Sequence, residues 1–513
     1  MKKATIYLSA ILMLTLSSCS DWLDIRPENE VVLEDYWKTE SQATAMLSSC
    51  YRGLILDACV ERMEVWGEVR SDNVVEGNSL YIDLYKAMNT QITPTNVYAN
   101  WASFYSVINY CNTFLHFAPN VVNSDPNFTQ TKLQTMQAEV LTIRALCYFY
   151  LVRAFKEVPL ILNPSISDTQ DYYVAKSTER EILDQIIADL LTAQKTARAD
   201  YGVGAYNKGR ITLNAVNALL ADVYLWDQQY DKCVATCDKI LNNQSLQLVD
   251  GDELINSVFF TGNSKESIFE LQFDKDIQYN FVANSYFGCS EGQFGQLSIP
   301  VYLSKTGTYS PFNYSAAATK ESTKDLREKT FYGTETNGNG SKIYKYAVIQ
   351  CTEKADETYS PTYRSSAISV NWVVYRLADI ILMKAEASVE LNNMEEALRL
   401  VNRTYLRSNQ TSDSLQLTNY ASKADMEKLV LRERQRELMF EGKRWFDLMR
   451  LVRRKGDPTT ILAYLSPKLT GGNMQIKKMS VMNALYMPVL KSELEINPKL
   501  TQNPFYEDSE FMN

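Results

Sequence analysis

The chain has 513 residues, a net charge of −9, 45% hydrophobic and 22% charged residues. That length supports several packed layers, and the acidic balance, with no long basic cluster, argues against nucleic acid as a partner. A single histidine, His116, all but excludes histidine-based nucleophilic triads; no glycine-rich phosphate loop followed by Lys-Ser/Thr occurs, and no His/Cys/acid set recurs at metal-ligand spacing, so no cofactor or metal is expected.

Lys2 and Lys3 precede an apolar run, Ala4 to Leu16, that is too short for a membrane span. The run ends in Leu16-Ser17-Ser18-Cys19, which resembles a bacterial lipobox. The expectation is a signal peptide over residues 1–19, with Cys19 lipidated as the mature N-terminus. Eight further cysteines sit mostly in apolar helical contexts and are expected as free, buried thiols.

Thr39-x-x-Gln42 and Thr178-x-x-Glu181 read as capping boxes that open helices. A helix is expected near Met63 to Val69, followed by the turn-forming Ser71-Asp72-Asn73 and a loop over 74–95. Trp101 to Phe117 and Leu133 to Phe155 show helical stripes, the second ending at Glu157-Val158-Pro159-Leu160. Ala221 to Cys237 matches Ala385 to Val401 position for position at an offset of 164, with small and large residues alternating as in tetratricopeptide-type helix pairs. From Gln244 to Asn371 the helical period fails. Short β-prone runs appear at Ile268 to Phe273 and Ile343 to Val348, with a hairpin-type loop at Gly333-x-x-x-Asn337-Gly338-Asn339-Gly340. A second long loop is expected over Lys455 to Lys478.

Arg432 to Arg454 reads as one long helix or a pair hinged at Gly442. Taken alone, most of its charges are expected to be solvated, with a buried Arg–Glu lattice clamping the repeats as the sharper alternative; set within the whole chain, the stretch is read as a structural keystone whose charges tie the repeats together. Trp66, Trp101, Trp226, Trp372 and Trp445 are assigned to packing.

Five blocks in order resemble the SusD/RagB family of outer-membrane nutrient-binding lipoproteins: the lipobox, the helix around Tyr36-Trp37, Arg144-Ala145-x-x-Tyr148-Phe149, the Tyr375-Arg376-x-Ala378-Asp379 repeat, and the signature from Arg432 to Asn503. The resemblance implies a mainly α fold, four tetratricopeptide-like helix pairs (41–69, 133–196, 211–243 and 374–408) forming a curved scaffold, with a large irregular insertion containing short β-strands. It divides a single domain, 20–513, into an N-terminal helical part (20–243), the insertion (244–371) and a C-terminal helical part (372–513). It further implies a non-enzymatic, cell-surface protein, lipid-anchored in the outer membrane and facing the exterior. Such a protein captures oligosaccharides, or oligopeptides in some members, and passes them to a SusC-like TonB-dependent transporter. A less favoured alternative is an all-α glycoside hydrolase, because carboxylate separations are invisible in sequence.

Sugars offer apolar C–H faces edged by hydroxyls, which suit exposed aromatics and short polar side chains. The loops supply the candidates: Asp72, Asn73, Asn78, Tyr81 and Tyr85 near the N-terminus, and Tyr279, Tyr286, Phe287, Tyr309 and Tyr314 in the insertion. A few of them are expected to form one exposed cluster.

Overall fold

The computed structural model describes residues 36–507, except 79–80, 168, 305–306, 313–320, 323, 356–358, 366–368 and 470–471. The signal segment, Cys19 and Tyr314 lie outside the described residues. The described part is mainly helical with a few short strands.

Both capping boxes form as read. The Thr39 side chain caps helix Glu40–Leu54 and the Thr178 side chain caps helix Glu179–Ala193, each with the reciprocal bond from its third residue. The internal repeat is structural. Helices Leu213–Trp226 and Tyr230–Leu241 form one hairpin, and Leu377–Glu390 and Met394–Ser408 form the other. The two turns are built alike in their backbones. Gln228 and Asn392, 164 apart, both take positive φ, 58° and 60°. Gln229 N–H donates to Tyr224 O at 2.8 Å, and Asn393 N–H to Ser388 O at 2.8 Å. The second helix of one hairpin packs on the first helix of the other, which buries the small residues Ala221, Ala385 and Ala397 completely.

The first pair differs from expectation. Helix Glu40–Leu54 takes helix Ala102–Ser124 as its main partner, not the segment that follows it. That segment, helix Asp57–Glu64 continued by a π-helical turn Val65–Val69, is fully buried at its end, where it packs on helix Arg444–Lys455. Helix Ala102–Ser124 in turn packs on Gln130–Phe155, and that helix on Glu179–Ala193. The expected loop over 74–95 contains a two-residue strand, Val75–Glu76, and a helix, Ile82–Met88. The expected loop over 455–478 likewise holds short helices, Leu462–Leu465 and Asn473–Met479.

Within the insertion, Ser267–Leu271 pairs antiparallel with Trp372–Arg376, tying the insertion to the repeat that follows it. The Asn337–Gly340 turn joins strands Tyr332–Thr336 and Gly340–Ile343, with Gly338 at φ +88° and the Asn337 side-chain oxygen Oδ1 accepting from Asn339 and Gly340 N–H. The second β-prone run is split: its start closes this hairpin, Tyr344 to Ala347 turns, and Val348–Glu353 begins a separate ribbon with Tyr359–Tyr363. The C-terminal segment lies back over the repeats, with Met487 N–H donating to Ala154 O at 2.8 Å. Among the described residues no helix is long and apolar enough to cross a membrane.

Candidate functional site

Two parts of the molecule compete for the role of site: a charged interior and an aromatic surface. The interior decides where Asp72 and Asn73 belong. The signature forms two helices, Lys423–Leu438 and Arg444–Lys455, joined through Phe440 and Gly442, both at positive φ. Most of the charges from Arg432 to Arg454 are not solvated. Glu433, Arg434, Arg436, Glu437, Glu441, Arg444, Asp447 and Arg450 are all buried. Their partners come from elsewhere in the chain. Arg327 reaches Glu433 at 2.7 Å and Glu437 at 2.8 Å. Arg376 bridges Glu266, Glu437 and Glu441 at 2.6–2.8 Å. Arg434 meets Asp379 at 3.1 Å and Asp447 at 2.9 Å. Burial alone would raise these carboxyls, but Arg407, Arg376 and Arg327 hold Glu437 far below the usual carboxylate range. Against the same burial, Lys443 and Arg434 hold Asp379 down to about 2. The expectation of solvated charges is thereby corrected: every signature charge that turns inward finds an opposite charge, as burial requires.

The segment Trp66 to Asn73 closes the lattice from the other side. Gly67 lies so near Gly442 that an added Cβ would sit 1.9 Å from the Gly442 carbonyl oxygen. Glu68 accepts from Phe440 N–H at 2.8 Å, Lys443 N–H at 3.2 Å, Arg444 N–H at 3.4 Å and the Asn73 amide at 2.7 Å. A carboxylate thus caps the start of the Arg444 helix, where its N–H groups lack partners; burial nevertheless pushes Glu68 up to about 7. The Arg70 guanidinium lies 4.1 Å above the Trp445 ring. Asp72 binds Arg444 through both oxygens, at 2.8 and 2.9 Å, and Asn73 accepts from Gln435 at 2.8 Å. Asp72 and Asn73 are therefore buried members of the clamp and not available to a sugar. Tyr286 and Phe287 are corrected on the same ground. The Tyr286 hydroxyl bonds Glu61 at 2.7 Å in the interior, and Phe287 stacks on Tyr346 at 4.6 Å between centroids.

The remaining candidates, Asn78, Tyr81, Tyr85, Tyr279 and Tyr309, are exposed. The segments that carry Asn78, Tyr81 and Tyr85 on one side and Tyr309 on the other meet although more than 200 residues separate them, whereas Tyr279 sits apart beside the turn closed by the Asp274–Gln278 bridge. Val75 and Glu76 pair with Ser298 and Leu297. The contact extends through Gly77 N–H to Gln296 O at 2.9 Å and Asn78 N–H to Gly295 O at 2.8 Å. Tyr302 donates to the Asp72 carbonyl at 3.1 Å, and the exposed Tyr309 ring packs edge-on against Tyr302. Beneath, the Tyr98 and Tyr286 hydroxyls lie 3.2 Å apart. Asp83 ties helix Ile82–Met88, with Tyr81 at its start and Tyr85 within it, to Val97 N–H at 3.0 Å. The N-terminal and insertion halves are thus joined by a ladder, with aromatics at its ends. Sequence reasoning missed Ile82, Val97, Phe281 and Val301, exposed apolar residues on these same segments; as isolated apolar residues they carry no sequence signal distinguishing them from core. His116 is exposed against the edge of Phe117. All five tryptophans assigned to packing are buried.

The family model described as "SusD family" matches residues 296–506, and one described as "Starch-binding associating with outer membrane" matches residues 21–225. The chain is similar to SusD-like protein P38 of Formosa agariphila, 24% identical over 98% of each chain, and to SusD-like protein P2 of the same organism, 25% identical over 86% of this chain and 89% of that one. Among solved structures it resembles a SusD superfamily protein of Bacteroides thetaiotaomicron, with a TM-score of 0.72 and 20% identity, covering 92% of this chain and 99% of the other. It also resembles B. fragilis NanU, with a TM-score of 0.69 and 21% identity, covering 94% and 100%. Matching family models on both halves, relatives matched over nearly their full length and a shared fold together place this chain in the SusD/RagB family.

Proposed function

We propose that the protein is a cell-surface lipoprotein, anchored through Cys19, that captures oligosaccharides and passes them to a SusC-like TonB-dependent transporter without catalysis. The observation that carries this reading is the exposure of Tyr81 and Tyr309 on segments joined through the Val75–Glu76 ladder; Tyr279 is exposed on a separate turn of the insertion. Flat, half-exposed rings at fixed places suit the apolar faces of sugar units. Asn78, exposed at the ladder's end, offers a rim group for hydroxyls, and Tyr85 widens the surface. Glu437 and Glu386, the acids held furthest below their usual range, are locked to arginines in the interior. The family description "Starch-binding associating with outer membrane" supports a glycan and an outer-membrane setting.

The test is a glycan-array screen of the full-length protein in detergent, followed by calorimetry with the best oligosaccharide. Tyr81→Ala/Tyr309→Ala should lose at least tenfold in affinity with the unfolding midpoint unchanged. Turnover of the glycan by pure protein would replace the reading with a hydrolase, and selective binding of peptides would replace the ligand class.

A further inference from the structure

A groove of about 400 Å³ lies between helix Ala102–Ser124, the loop after Pro159 and the tail from Glu493 to Leu500. Its size is that of a small-ligand pocket. We propose that it is a second carbohydrate-binding site, taking one or two neutral sugar units; this rests on the glycan-binding reading above and adds a separate place for it.

Two aromatic rings stand side by side at its edge. Tyr172 and Tyr173 are 49% and 47% exposed, although the loop that carries them is firmly held. The Tyr172 hydroxyl donates to Ser167 O at 2.8 Å. Asp171 accepts from Tyr173 N–H at 2.9 Å and pairs with Lys499 at 2.8 Å. Asn497 donates to Val174 O at 2.9 Å, so loop and tail are stitched together on both sides of the tyrosines. Large rings exposed on a pinned loop are pre-ordered, which lowers the entropy cost of stacking a ligand on them. The interior of the groove is mixed in the way a sugar requires. Tyr105 supplies an aromatic wall, its own hydroxyl already committed to Pro159 O at 2.6 Å. Asn109 uses its carbonyl oxygen to accept from Ser165 N–H at 2.8 Å, which leaves its amide N–H groups for a hydroxyl. Glu493 adds a carboxylate acceptor. That carboxylate, on a chain of net charge −9, selects against sulfated or uronic units and for neutral ones. The tail also touches the first surface: Lys491 N–H donates to Pro94 O at 2.8 Å, three residues before the exposed Val97.

The experiment is calorimetric titration of the full-length protein with neutral gluco-, xylo-, manno- and galacto-oligosaccharides of four to six units. Wild type, Tyr172→Ala/Tyr173→Ala, Glu493→Gln and Tyr81→Ala/Tyr309→Ala are compared. Two binding events are expected in wild type. Tyr172→Ala/Tyr173→Ala should remove one event, at least tenfold weaker, while leaving the other and the unfolding midpoint intact; Glu493→Gln should weaken the same event. Unchanged stoichiometry and affinities in the Tyr172/Tyr173 variant would overturn the second site. If only the Tyr81/Tyr309 variant loses binding and no second event exists, the second site falls and the first stands. If binding survives Tyr81→Ala/Tyr309→Ala but not Tyr172→Ala/Tyr173→Ala, the groove stands and the first surface falls. If no neutral sugar binds wild type, both fall.

Discussion

Asp72 is the sharpest point at which a ligand role and a structural role part company, and Asp72→Ala separates them. In the folded protein Asp72 holds both nitrogens of one edge of the Arg444 guanidinium, at 2.8 and 2.9 Å. Both side chains are almost wholly removed from water, and among the described residues Arg444 has one further hydrogen bond, to Leu431 O at 3.3 Å, and the Tyr464 ring 5.2 Å from its guanidinium. Removing the carboxylate leaves a buried cation with most of its donors unmet, which costs about 3–5 kcal/mol. That is a large share of the roughly 5–15 kcal/mol by which folded domains are stable. Urea unfolding followed by circular dichroism should show the midpoint falling steeply. Replacing both partners, Asp72→Ala/Arg444→Met, should recover much of the loss, because no isolated charge is then buried. By contrast, Tyr81→Ala, at an exposed position, should move stability by no more than about 0.5 kcal/mol. An Asp72→Ala protein with wild-type stability and lost glycan binding would refute the clamp assignment and return Asp72 to the ligand site.

Four further outcomes follow from the same interior. Gly67→Ala should fail to give soluble folded protein, since its Cβ would collide with the Gly442 carbonyl; normal expression and melting would contradict that packing. Asp379, held to about 2 by Lys443 and Arg434 against burial, contributes stability that is complete above its unfolded value near 4 and is lost as pH falls through about 2. The loss amounts to about 2 kcal/mol, and Asp379→Asn should flatten that part of the stability–pH curve measured by urea titration. Gln228→Gly relieves a positive φ of 58° and should raise stability by up to about 1 kcal/mol, readable as a higher midpoint. Seven of the eight cysteines after Cys19 are buried and free, and burial pushes the half-buried Cys351 thiol up to about 12; iodoacetamide at neutral pH should label almost none in the native protein and all eight in urea, by mass spectrometry without reductant.

Local chemistry determined much of this protein. Capping boxes at Thr39 and Thr178, the hairpin turn repeated at an offset of 164 and the Asn337–Gly340 turn rest on interactions spanning a few residues, so the chain carries them in plain order. The packing role of Trp66, Trp226 and Trp445 was legible for the same reason: each lies on an apolar stripe. Tertiary structure alone decided the fate of the charges. A run such as Arg432 to Arg454 has the same pattern whether it faces water or counter-ions, and its counter-ions, Asp72, Arg327, Lys345, Arg376 and Asp379, come from other segments of the chain. Ser71-Asp72-Asn73 reads as a turn because its side chains favour turns, and a turn can close a core as well as a loop. The exposed tyrosines depend in the same way on a ladder between residues 75–78 and 295–298. Which polar group is buried, and which ring is left in water, is a property of contacts between distant residues, and the fold is what brings those residues together.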